Sequence, residues 1–113
     1  METYILNICG LQRQLPVCPI NENLSIAAFI MFGDVELTKL AAQELLKICP
    51  PHNILLTAEA KGIPLCYEMA AQSGGEYVVA RKGIKLYMQN SVSVQVKSIT
   101  TDRVQTLYLD GAK

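Results

Sequence analysis

The chain has 113 residues, half of them hydrophobic and 18% charged, with ten acidic and ten basic side chains in balance. That length and composition suit one domain with a real core and exclude a disordered segment. The even charge argues against a generic nucleic-acid binder or a polybasic membrane anchor, and no apolar run reaches the roughly 18 residues needed to cross a bilayer. Met1-Glu2-Thr3-Tyr4 offers no basic n-region ahead of an apolar stretch, so no signal peptide is read and the expected compartment is cytoplasmic. Cys9, Cys18, Cys49 and Cys66 show no C-x-x-C spacing and are read as buried free thiols. With His52 as the only histidine, no protein metal site is expected.

Residues 3–20 read as two short strands. Tyr4, Leu6 and Ile8 alternate with polar or small neighbours, and Cys9-Gly10 can turn the chain. Leu15, Val17 and Ile20 continue the pattern, but Pro16 and Pro19 demote this strand to an edge or a cover. After the polar break Asn21-Glu22-Asn23, the apolar run Ser25 to Phe32 fits either a strand or a buried helix. Asp34 is a good N-cap for a helix over Val35 to Ile48, whose apolar face is Leu37, Ala41, Leu45 and Ile48. Cys49-Pro50-Pro51 ends it, since the residue before a proline avoids helical geometry.

Ile54, Leu55 and Leu56 form a continuous apolar run, the pattern of a strand covered on both faces in a parallel sheet. The small, polar stretch Thr57 to Gly62 interrupts it. Pro64 then opens a helix to about Gln72, with Leu65, Cys66, Met69 and Ala70 inward and Ser73-Gly74-Gly75 as the stop. Tyr77 to Ala80 is a second buried-type strand, so the two strands and their helix make a parallel βαβ unit. Arg81 to Lys85 is a basic loop. Val92, Val94 and Val96 alternate, Thr100 to Arg103 turns, and Val104 to Leu109 alternates again, giving a β-hairpin.

A strand, a small-residue loop and a helix start present backbone N–H groups and a positive dipole end to an anion. Lys61 in that loop, with Arg81 and Lys82 at the end of the next strand, adds cations where open α/β sheets bind ligands. A di-anion such as pyrophosphate is the natural guest. The loop has neither the Walker-type spacing nor G-x-G-x-x-G. His52, beside two prolines, reads as a surface residue, and Cys66 reads as packing. Residues 83–91, with Lys85, Tyr87, Met88 and Gln89, fit a loop that folds over a ligand equally well as a plain hairpin connection.

Leu55 to Pro64, then Tyr77-Val78-Val79-Ala80-Arg81-Lys82, then the hairpin ending Leu107-Tyr108-Leu109-Asp110-Gly111, resemble type I phosphoribosyltransferases, closest to the adenine and xanthine branch. The resemblance implies an α/β fold with a parallel βαβ core, a β-hairpin flap and N-terminal hood strands. It implies one domain over 1–113, with a hood-like segment at 1–32 and the first part of the core at 33–113. The implied activity is transfer of ribose 5-phosphate from phosphoribosyl pyrophosphate to a purine base in nucleotide salvage, with Mg2+ as cofactor and a homodimer as the assembly. Glu59, Ala60, Lys61 and Gly62 would form the pyrophosphate-binding loop, with a cis peptide at Glu59–Ala60. Arg81 and Lys82 would join it in binding, Lys61, Lys82 and Tyr87 would act in catalysis, and residues 83–91 would belong to a flexible catalytic loop.

The family's most specific motif, an apolar strand ending in two adjacent acids before a threonine-containing loop, has no counterpart. Asp110 stands alone. The chain is therefore expected to be the N-terminal, pyrophosphate-binding part of a longer enzyme and to be inactive by itself. Two other readings stay open: a regulatory module that senses phosphoribosyl pyrophosphate without turnover, and an inactive piece that associates with itself. The 32 residues before Gly33 are too strand-like for a helix-turn-helix, which weighs against the former.

Overall fold

A computed structural model describes residues 2–97 and 104–112. The elements are β1 (Thr3–Ile8), β2 (Leu11–Asn21), β3 (Leu24–Ala27), α1 (Val35–Ile48), β4 (Ile54–Ala58), α2 (Ile63–Ser73), β5 (Glu76–Ala80), β6 (Val92–Lys97) and β7 (Val104–Leu109). The expected turn at Thr100 to Arg103 lies outside the described residues.

The first three strands form an antiparallel sheet in the order β1-β2-β3. Ile8 pairs with Leu11, so Cys9 and Gly10 make a two-residue loop. Both have positive φ, 53° and 76°, which matches the twist of a tight hairpin. The proline-bearing strand β2 is central, not an edge, a correction with a simple cause. β1 pairs with it only as far as Pro16, and β3 takes over at Val17 on the opposite side. Pro16 lies just past the end of β3, where its carbonyl still accepts from the Ala28 amide at 2.8 Å, Pro19 lies past the end of β1, and the register shifts between Pro19 and Asn21. Of the apolar run Ser25 to Phe32, only the start is strand; the rest has no regular structure before a turn in which the Asp34 amide donates to Met31 O at 2.9 Å.

Asp34 caps α1: its Oδ1 accepts from the Leu37 amide at 3.1 Å, and Thr38 Oγ1 donates to its carbonyl at 2.8 Å. The same carboxylate receives Arg13 Nε of β2 at 2.7 Å, and Arg13 Nη2 also reaches Glu36 Oε1 at 3.0 Å. One arginine thus ties the N-terminal sheet to the start of the core helix. The apolar face of α1 is shorter than its periodicity suggests. Leu37, Ala41 and Ala42 are buried, whereas Leu45 is 38% and Ile48 79% exposed. The reason is where α2 crosses. Gln72, in its last turn, donates to Lys39 O at 3.2 Å, so α2 lies against the first half of α1.

β4 and β5 pair in parallel from Ile54↔Glu76 to Ala58↔Ala80, with α2 as the connection. Cys66 and Ala70 are the buried residues of α2. Tyr67 meets Tyr77 edge to face, ring centroids 6.2 Å apart, which pins the helix over β5. Gly74, with φ 78°, ends α2 by donating to Ala70 O at 2.9 Å. β4 is not covered on both faces by the described residues. Leu55 and Thr57 are half-buried, but Ile54 is 42% and Leu56 61% exposed. The helix α2 packs on one face, and the other looks into an apolar groove of about 320 Å³ whose far wall includes Val92, Leu107 and Leu109 of the hairpin.

β6 and β7 pair antiparallel from Val92↔Leu109 to Lys97↔Val104. Arg81 and Tyr108 exchange both backbone hydrogen bonds, at 2.9 and 2.8 Å, and this bridge fastens the hairpin to the end of β5. The architecture is mixed α/β: a parallel βαβ unit, an antiparallel hairpin and an N-terminal antiparallel sheet. All four cysteines are free, and only Cys66 is fully buried. No helix among the described residues is long and apolar enough to cross a membrane.

Candidate anion-binding site

The site begins where two parallel strands stop together. The ladder ends at Ala58↔Ala80, and the Glu59 amide adds one more bond to Ala80 O at 3.0 Å. That register forces position 59 beside position 81. The chain then turns through Glu59-Ala60-Lys61-Gly62, and the Glu59–Ala60 peptide is cis, as the resemblance implied. Ala60 O accepts from the Ile63 amide at 3.3 Å and Gly62 O from the Cys66 amide at 3.0 Å, so the loop runs straight into α2. Gly62 is the N-cap and brings no capping side chain. A Cβ there would lie 2.4 Å from Thr57 Oγ1, so the loop folds back closely on β4 and a side chain at 62 would require the Thr57 hydroxyl to move.

Among the described residues nothing pairs with the amides of Ala60, Lys61 and Gly62, and no hydrogen bond or ion pair holds the Lys61 or Lys82 ammonium. Both lysines are exposed. Arg81 has a partner: its Nε donates to Glu59 Oε1 at 2.9 Å, and the Lys82 amide donates to the same oxygen at 3.0 Å. These bonds, the Lys82 amide first and Arg81 next, with the Arg81 and Lys85 charges, hold the Glu59 carboxyl below its usual range. The Arg81 guanidinium is pushed upward in turn, chiefly by its bond to Glu59.

Arg81 Nη1 also donates to the Tyr87 hydroxyl at 2.8 Å. The segment 83–91 is fixed a second time where the Gln89 amide donates to Asp110 Oδ1 at 3.0 Å. A Cβ on Gly111 would fall 2.0 Å from Asn90 O, which shows how closely that segment lies on the end of the hairpin. Glu59, Ala60, Lys61, Gly62, Arg81, Lys82 and Tyr87 therefore meet at one end of the βαβ unit. His52 lies at the opposite end of β4, its Nδ1 2.9 Å from Pro50 O and 3.4 Å from Cys49 Sγ. Burial raises the Cys66 thiol, which leaves it a packing group.

Three pairings went unnoticed in the sequence: Glu59 with Arg81, Arg81 with Tyr87, and Gln89 with Asp110. The first was derivable, because a parallel register of 58 with 80 puts 59 next to 81. The other two depend on how the hairpin docks, for which no spacing gives a sign.

No protein-family model matches the chain, and no curated protein sequence matches it. Its fold is similar to a solved adenine phosphoribosyltransferase from Thermoanaerobacter pseudethanolicus, with a TM-score of 0.64 and 16% identity. The likeness covers 84% of this chain and 56% of that one, so the chain spans a little over half the length of the structure it resembles. At that identity what is shared is the fold: this chain has a phosphoribosyltransferase-like fold.

Proposed function

We propose that the chain is the pyrophosphate-binding half of a purine-type phosphoribosyltransferase, which moves ribose 5-phosphate from phosphoribosyl pyrophosphate to a purine base. The observation that carries this reading is the set of three amides, Ala60 to Gly62, beside two lysines at adjacent parallel strand ends, none of them paired among the described residues. Amides and cations fixed in advance where charge builds up on a leaving group form the largest catalytic term open to such a reaction. In this reading the amides receive the departing pyrophosphate, and Lys61 and Lys82 neutralise the charge it gains. Tyr87 places a hydroxyl at the same strand end. Among the described residues no three His, Cys, Asp or Glu side chains come together around a metal. Magnesium, which the resemblance implies, would enter with the phosphoribosyl pyrophosphate and would offset part of its negative charge beside Lys61 and Lys82.

The test mixes the natural protein carrying this sequence with phosphoribosyl pyrophosphate, magnesium and a panel of purine bases, and measures pyrophosphate release. Release that depends on one base is the expected result. Tight binding of phosphoribosyl pyrophosphate with no release for any base would move the protein to the class of non-catalytic sensors. Absence of binding would end the reading.

A further inference from the structure

Glu59 has the wrong charge to meet a pyrophosphate. It sits in the middle of the candidate loop, yet its carboxylate is turned onto Arg81 Nε and the Lys82 amide. One oxygen, Oε1, takes both bonds. This joins the loop after β4 to the end of β5 through a side chain, in addition to the backbone bond from the Glu59 amide to Ala80 O. Arg81 then passes the connection on. Its planar fork donates Nε to Glu59 in one direction and Nη1 to Tyr87 in another, so the placement of one fixes the other. Tyr87 is 62% exposed, and no described hydrogen bond other than the one from Arg81 holds its hydroxyl.

We propose that Glu59 is a positioning residue, which through Arg81 sets both the shape of the amide loop 59–62 and the seat of Tyr87 and the segment 83–91. The claim deepens the pyrophosphate-binding reading and, for its ligand readout, rests on it. Glu59 touches no substrate in this scheme. It acts on the amides of its own loop and on the segment that Tyr87 leads across the strand end. The far end of that segment has its own anchors, the Gln89–Asp110 bond and the close approach of Asn90 to Gly111. The part under the control of Glu59 is therefore Lys82 to Tyr87.

That part contains two trypsin sites, after Lys82 and after Lys85, which supply a readout independent of any ligand. Trypsin digests of the native chain and of Glu59→Ala, Glu59→Gln and Tyr87→Phe are followed by mass spectrometry, with cleavage after Lys47 in α1 as the internal control. Inorganic pyrophosphate binding is measured on the native chain and the two Glu59 variants. Glu59→Ala is expected to raise cleavage after Lys82 and Lys85 about tenfold with Lys47 unchanged, and to weaken pyrophosphate binding about tenfold. Glu59→Gln, which keeps an acceptor at Oε1, is expected to fall between Glu59→Ala and the native chain. Tyr87→Phe, at a position 62% exposed, is expected to speed cleavage after Lys85.

A uniform rise at all three lysines would mean plain destabilisation and would overturn the proposal, as would native cleavage rates in Glu59→Ala and Tyr87→Phe. If Glu59→Ala frees the segment but even the native chain ignores pyrophosphate, the ligand reading falls and the coupling of Glu59 to the segment stands.

Discussion

Glu59 and Arg81 lie 22 residues apart in the chain and meet at 2.9 Å, because the parallel register of Ala58 with Ala80 leaves them side by side at the first positions past the sheet. Their charges cancel locally. The net positive character of the strand ends then comes from the exposed lysines, Lys61 and Lys82, and from Lys85 nearby.

The two loop lysines should therefore carry the electrostatic part of ligand binding. Lys61→Ala and Lys82→Ala are each expected to weaken inorganic pyrophosphate binding about tenfold, equivalent to about 1.4 kcal/mol. Titration calorimetry at two salt concentrations checks this. The native affinity should fall as salt rises, and the double variant should lose most of that salt dependence.

A side chain at Gly62 is predicted to compete with the Thr57 hydroxyl for space. Gly62→Ala would place a methyl 2.4 Å from Thr57 Oγ1 and should destabilise the chain by about 1–3 kcal/mol, the usual range for overpacking. Removing the hydroxyl in Thr57→Ala/Gly62→Ala should restore much of the loss. Urea unfolding of the two single variants and the double variant measures the coupling.

The altered face of α1 can be tested in the same way. Leu37, fully buried, should cost about 2–5 kcal/mol when cut to alanine. Ile48→Ala, at a position 79% exposed, should change stability by no more than about 0.5 kcal/mol. A large loss at Ile48 would show that the full periodic stripe is buried after all.

These contrasts show what could be read from the letters alone. The start and stop of α1 were legible because Asp34 and the Cys49-Pro50-Pro51 run act locally, and the described helix has those bounds. The β4–α2–β5 unit was legible because its apolar runs and Gly74 are local signals as well. Burial was legible only in part: Leu37, Ala41, Cys66 and Ala70 are buried as their spacing implies. Leu45, Ile48, Ile54 and Leu56 follow good patterns, but whether a patterned side chain is covered depends on what packs across it, and α2 reaches only half of α1. Pro16 and Pro19 point to an edge or covering strand, yet β2 is central. The reason is that β2 changes ladder at Pro16–Val17, so each proline lies at or beyond the end of one neighbouring strand while β2 stays central. In the site, the composition of the loop was visible, whereas the Arg81–Tyr87 contact was not, because it depends on the docking of a hairpin through Tyr108.

The pH dependence follows from Glu59 and Asp34. Both carboxyls are held below their ordinary values of 4.5 and 3.8, Glu59 by the Lys82 amide, Arg81 and Lys85, and Asp34 by Arg13 and the Leu37 amide. A depressed folded-state pKa means that the unfolded chain binds more protons in this range. The stabilisation is therefore complete above the ordinary value and is lost as pH falls through the folded one. Melting temperatures between pH 6 and pH 3 should be level at first and drop below about pH 4.5. Glu59→Gln should show a shallower drop, and its curve should approach the native one at the acid end.

The central claim is that the amides of Ala60, Lys61 and Gly62 are an anion cradle flanked by Lys61 and Lys82. The most direct measurement is an amide nitrogen–proton correlation spectrum of the isotope-labelled chain, titrated with inorganic pyrophosphate. Saturable shifts centred on the Ala60, Lys61, Gly62 and Lys82 amides, absent in the Lys61→Ala/Lys82→Ala variant, are the predicted result. Unmoved amides across 59–62, or shifts that gather elsewhere on the chain, would contradict it.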